Sequence, residues 1–109
     1  MKRRSDYQGW TNYETWSVAL IWDNEQGSYN YWNERAYQMQ REFGEDALYE
    51  LAEEMKTELQ DNMPELDSLY QQLLGAAIDE VDWREIAGHW LERLSEFPEG
   101  HFSELDEDY

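Results

Sequence analysis

The chain has 109 residues, 40% apolar and 16% aromatic, enough for one domain with a single core. It contains no cysteine, which excludes a disulfide framework and thiolate metal sites and makes a reducing cytoplasm the expected compartment. Its 26 acidic and 8 basic residues give a net charge of −18, which argues against direct binding to nucleic acid, where affinity rests on clustered Lys and Arg.

The opening MKRRSDYQG is basic, but no apolar stretch follows it. It therefore does not read as a signal peptide, and residues 1–8 are expected to be a flexible terminus. Thr11 and Glu14 match a T-x-x-E capping box and set a helix start at Asn12. The body that follows, YETWSVALIW, is apolar almost all round, the pattern of a buried helix. The alternation Trp16, Val18, Leu20, Trp22 would also suit a strand over 12–22; the capping pattern favours helix. The run Val18 to Trp22 is the longest apolar one and is far too short to span a membrane. Gly9 to Gln26 thus reads as the hydrophobic centre. Its tryptophans are expected in the core, with Trp10, ahead of the capping pattern, as the exception.

DNEQGS reads as a turn. Asp23, Glu25 and Glu34 fall at positions one, three and twelve of a calcium loop, but Ser28 stands where that loop requires glycine, so the match fails. From about Ser28, the spacing Tyr29, Trp32, Ala36, Met39, Phe43 predicts a second helix closed by Gly44. A third is predicted over 45–62. Leu48, Leu51, Ala52, Met55 and Leu59 face inward there, and Asp46, Glu50, Glu53, Glu54, Glu58 and Asp61 face outward. Pro64 is expected to open a fourth, lined by Leu66, Leu69, Tyr70, Leu73, Leu74, Ala77 and Ile78.

The fifth start has Asp82 as cap, Glu85 three residues on, and Val81 and Ile86 as a hydrophobic staple. Its buried stripe is Trp83, Ile86, Ala87, Trp90, Leu91 and Leu94, and Pro98 and Gly100 end it. Residues 99–109 read as an acidic tail. The expected architecture is all-α: a compact single domain over 1–109, a bundle of four to five helices.

The segment WTNYETWSVALIWDNEQGSY resembles a group of small, mostly uncharacterised proteins of bacteriophages and other mobile elements that share an N-Y-E-T-W signature, an apolar run and a D-N-E-type turn. The stretch from Asp82 to Trp90 is similar to their C-terminal helix. This resemblance covers about half of the chain. It implies a mobile-element origin and brings no catalytic residues with it.

Nothing in the chain reads as enzymatic. There is no nucleophile–base pair, no phosphate loop and no dinucleotide fingerprint, and no cofactor or metal is expected. Glu85 and His89 share a helix face and could ligate a metal, but a lone pair of this kind is usually structural. His101 lies in the tail.

The charge is unevenly placed. Residues 1–41 hold five basic and five acidic groups, whereas residues 42–109 hold three basic and twenty-one acidic ones. Solubility is one explanation. Adaptation to high salt is another, consistent with lysine only at Lys2 and Lys56 but not with seventeen glutamates against nine aspartates.

A third explanation is mimicry. From Glu45 to Asp61 a helix rises about 24 Å and carries a carboxylate roughly every 3.4 Å, close to the phosphate spacing along one DNA strand. The expected contact surface is Glu45, Asp46, Glu50, Glu53, Glu54, Glu58 and Asp61, extended by Glu65, Asp67, Asp79, Glu80 and Asp82. Its expected partner is a basic nucleic-acid-binding host protein or defence complex: a CRISPR effector first, a restriction enzyme second. Neither membrane nor direct nucleic-acid contact is expected, and the location would be the host cytoplasm. The alternative is a non-catalytic module that binds a partner, or itself as a homodimer, through an aromatic patch of Tyr7, Trp10, Tyr13, Tyr29, Tyr31 and Tyr37.

Overall fold

The computed structural model describes residues 7–94, and five helices follow one another along them. These are α1 Tyr13–Asn24, α2 Gln26–Phe43, α3 Ala47–Asp61, α4 Ser68–Glu80 and α5 Trp83–Arg93, with a short 3-10 turn, Gly44–Asp46, ahead of α3. The all-α bundle expected from periodicity is what forms. The expected acidic tail, the stop at Pro98 and Gly100, and the N-terminal segment apart from Tyr7 and Gln8 lie outside the described residues.

The segment that alternation left open between strand and helix is helical. Its cap differs from the expected one. Asn12 is the N-cap, and its Oδ1 accepts from the Thr15 N–H at 2.9 Å and from the Thr15 hydroxyl at 2.6 Å. Thr11 is drawn away by α5: its N–H donates to Glu85 Oε1 at 3.0 Å and its hydroxyl to Asp82 Oδ2 at 3.5 Å. Partners distant in sequence thus override the local T-x-x-E pattern.

The expected turn DNEQGS shrinks to one residue. Glu25 ends α1, donating its N–H to Ile21 O at 3.0 Å, and accepts at its carbonyl from Tyr29 N at 2.8 Å to begin α2. Gly44 then closes α2 at φ +53, a left-handed conformation that explains glycine there. Pro64 does not start a helix. Residues 62–67 carry the chain across from α3, and α4 begins at Ser68 after Asp67.

The hydrophobic centre is not where the sequence put it. The largest fully buried side chains are Trp32, Leu51, Met55, Ile86 and Trp90, contributed by α2, α3 and α5, together with Thr15. From α1, Ala19 and Trp22 join that core, Trp22 meeting Trp32 at 4.8 Å and Trp83 at 6.1 Å between ring centroids. Trp16 is only half-buried, and Ile21 is 60% exposed. A helix apolar on every side still has neighbours on only one. Leu48, expected inside α3, is likewise exposed.

The largest departure is α4. Ile78 is its one buried residue, while Leu69, Tyr70 and Leu73 are 65%, 61% and 59% exposed, with Leu66 before them also exposed. The helix is held at its C-terminal end, where Leu74, Ile78 and Val81 pack on the core and Glu80 O accepts from Asn12 Nδ2 at 2.7 Å. Its N-terminal half stands clear. Gly75 sits mid-helix, and a Cβ there meets nothing within 4 Å. Gly75→Ala should therefore raise stability by about 0.5–1 kcal/mol, read as a higher midpoint in urea unfolding.

Candidate functional site

The acidic residues of α3 divide into two rows. At 3.6 residues per turn, Glu50, Glu53 and Asp61 fall within about 80° of arc, opposite the buried Leu51, Ala52 and Met55. None of the three makes an ion pair or hydrogen bond among the described residues. Asp46, the residue capping α3, and Glu45 lie before the helix in the 3-10 turn, both exposed.

Glu54 and Glu58 instead turn toward α2. Arg35 grips Glu54 with its fork, Nε to Oε2 at 2.7 Å and Nη2 to Oε1 at 2.5 Å. This is a bidentate, half-buried pair, and it holds the Arg35 guanidinium above its already high pKa. Glu54 is thus neutralised within the fold. Glu58 Oε2 accepts from Asn62 Nδ2 at 2.9 Å. The unpaired outward row spans about 16 Å with three carboxylates, sparser than the phosphate spacing that the whole helix suggested.

The outlying candidates separate too. Lys56 leans over the other flank of α3 to reach Asp79 Oδ1 at 3.7 Å on α4. Asp82 caps α5, accepting from Glu85 N at 3.1 Å. Glu65, Asp67 and Glu80 are exposed on the loop before α4, at its start and at its end. Asp23, at position one of the failed calcium-loop match, pairs with Arg93 at 2.7 Å, and the surrounding chain is helical. Glu85 accepts from Thr11, and His89 stacks on Trp10 at 4.2 Å, so each member of that pair is engaged elsewhere. Among the described residues no three His, Asp or Glu side chains gather as a metal site.

The aromatic candidates are dispersed among different neighbours. Tyr7 meets Tyr13 at 6.2 Å, Tyr29 packs on Trp90 at 5.5 Å, and Tyr31 stands edge-on to Trp32 at 4.8 Å. Tyr37 lies under the Arg41 guanidinium at 5.6 Å.

A feature that sequence reasoning missed lies where α2 begins and α3 ends. There a cleft of about 360 Å³ is lined by Trp22, Tyr31 and Trp32, by the carboxylates of Glu25 and Glu58, and by Asn62. In the sequence Glu25 reads as part of a turn and as position three of the failed calcium-loop match. The sequence carries no signal for the cleft, because the pairing depends on the register between α2 and α3. α2 and α3 run antiparallel, so the rung Arg35–Glu54 is followed one turn along by Tyr31 facing Glu58. A second groove, about 320 Å³, runs between α1 and α4 over Val18, Leu59, Leu74 and Ile78 and is almost wholly apolar.

Burial first, and then the negative charge of Glu54 and Glu58, raise the Tyr31 phenol above its ordinary pKa of 10.0. Because the folded value is the higher one, Tyr31 contributes stability below pH ~10 that is lost as pH rises toward its folded pKa. Ultraviolet titration of phenolate should therefore show one tyrosine ionising late, and Tyr31→Phe should delete that step.

No helix among the described residues is long and apolar enough to cross a membrane. Compared with known protein families, curated proteins and solved structures, the chain matches none.

Proposed function

We propose that this protein is a nucleic-acid mimic of phage type, a non-catalytic inhibitor that blocks the DNA- or RNA-binding channel of a host defence complex. A CRISPR effector is the first candidate and a restriction enzyme the second, reached in the host cytoplasm. The observation that carries the reading is uncompensated charge on an ordered helix. Residues 7–94 hold nineteen acidic and five basic groups, and three of those basic groups, Arg35, Lys56 and Arg93, are already in ion pairs. Among the described residues, Glu50, Glu53 and Asp61 have no ion-pair partner. Such a field speeds encounter with a cationic channel, and occupation excludes the true substrate. The likeness of Asn12–Trp16 to the N-Y-E-T-W proteins of mobile elements agrees with a target in host defence.

The test is interference in bacteria. Cells carrying an active CRISPR effector clear a targeted plasmid, and expression of this protein should restore plasmid survival. A parallel strain with a restriction system tests the second candidate. Unchanged plasmid loss in both, with the protein expressed and folded, defeats the proposal.

A second reading is self-association, favoured by the exposed stripe Leu69, Tyr70 and Leu73. Residues 68–78 contain no charged group, so two copies would meet there with least repulsion. Salt separates the two ideas. Binding through the carboxylates weakens steeply as salt rises, and association through α4 does not.

A further inference from the structure

We propose that the cleft between the start of α2 and the end of α3 is an arginine pocket, in which a guanidinium of the basic partner lies on Tyr31 and pairs with Glu58 and Glu25. The inference rests on the mimic reading and names the anchor within it. The fold already contains the pattern one turn away. On the neighbouring rung Arg35 of α2 fills the space beside Glu54 of α3, with Tyr31 adjacent. Continuing along the two antiparallel helices, Tyr31 faces Glu58, but the next positions on α2 are Gly27 and Ser28. Neither can supply a cation or fill the volume, and a Cβ built on Gly27 meets nothing within 4 Å. The carboxylate is repeated and the ring is shared. The arginine is left to another molecule.

The lining fits that occupant in charge, donor count and shape. Among the described residues, no lysine or arginine lines the cleft. Glu25 accepts from the Ser28 hydroxyl and Glu58 from Asn62 Nδ2, one neutral donor each. A carboxylate offers about four lone-pair sites, so both retain acceptors for a guanidinium fork. Tyr31 is 46% exposed, braced edge-on by the buried Trp32, so its face is fixed and accessible. A planar guanidinium stacks on such a face while its edge donates to carboxylates, whereas a lysine ammonium does only the second. Selection of arginine over lysine is what distinguishes this pocket from the open row on α3, which attracts either as a charge.

The experiment titrates fluorescently labelled arginine and lysine octapeptides into the whole protein at low salt. The arginine peptide should bind about tenfold more tightly. Tyr31→Leu and Glu58→Gln should each bring the two peptides to within about twofold of one another. Tyr70→Leu, on exposed α4, should leave the preference intact. Gly27→Phe, which plugs the cleft from a position with open space, should remove it as well, and circular dichroism checks that each variant is folded. If wild-type protein binds both peptides equally, or if Tyr31→Leu keeps the preference, the pocket is refuted and the mimic reading stands. If neither peptide binds at all, both fall together.

Discussion

Thr15→Val is expected to lower the thermal midpoint by roughly 10–15 °C, although valine has nearly the same shape. Thr15 is wholly buried and joins α1 to the start of α5 through one hydroxyl. That oxygen donates to Asn12 Oδ1 at 2.6 Å and accepts from the Asp82 N–H at 2.8 Å. Asn12 in turn caps α1 and ties it to Glu80 O at the end of α4. Valine leaves the Asp82 N–H without its partner, while Asn12 Oδ1 keeps only the backbone N–H of residue 15. An orphaned donor costs about 1–3 kcal/mol, so the expected loss is roughly 2 kcal/mol. Thr15→Ser keeps the hydroxyl and loses only a methyl, and should cost about 1 kcal/mol. Thermal unfolding followed by circular dichroism measures both. A valine variant melting within ~2 °C of wild type would show that the network contributes little to stability.

This network also explains what the sequence could and could not convey. Asn12 and Thr15, at the start of α1, meet the segment from Glu80 to Glu85 in space, so two stretches some seventy residues apart form the two halves of one structural joint. Helix periodicity was legible because α2, α3 and α5 each carry a single apolar stripe that a neighbour covers. It misled at α1 and α4, where apolar residues are present but coverage depends on how helices far apart in sequence are arranged. The Thr11–Glu14 pattern failed for the same reason, since Asp82 and Glu85 offered Thr11 better acceptors. In the candidate surface, the position of Glu50, Glu53 and Asp61 on one side of α3 followed from spacing alone. The capture of Glu54 by Arg35, nineteen residues earlier, and the cleft beside Glu58 did not, because both depend on the register between α2 and α3.

Register likewise determines which carboxylates test the proposed surface. Replacing Glu50, Glu53 and Asp61 with Gln, Gln and Asn should weaken binding of the lysine octapeptide roughly tenfold or more at low salt and flatten its salt dependence. The triple variant should melt at or above the wild-type temperature. It relieves the Glu50–Glu53 repulsion, worth a few tenths of a kcal/mol, and removes no ion pair or hydrogen bond found among the described residues. Glu54→Gln should behave in the opposite way. It removes the charge partner of a half-buried arginine, costs about 1 kcal/mol, and leaves lysine-peptide binding nearly unchanged because that carboxylate is already neutralised. Stability and binding thus move independently in the two variants, which excludes general unfolding as the cause of either result. Equal loss of peptide binding in both would mean that net charge, and not the outward row, governs attraction. α3 would then be an ordinary solvated helix.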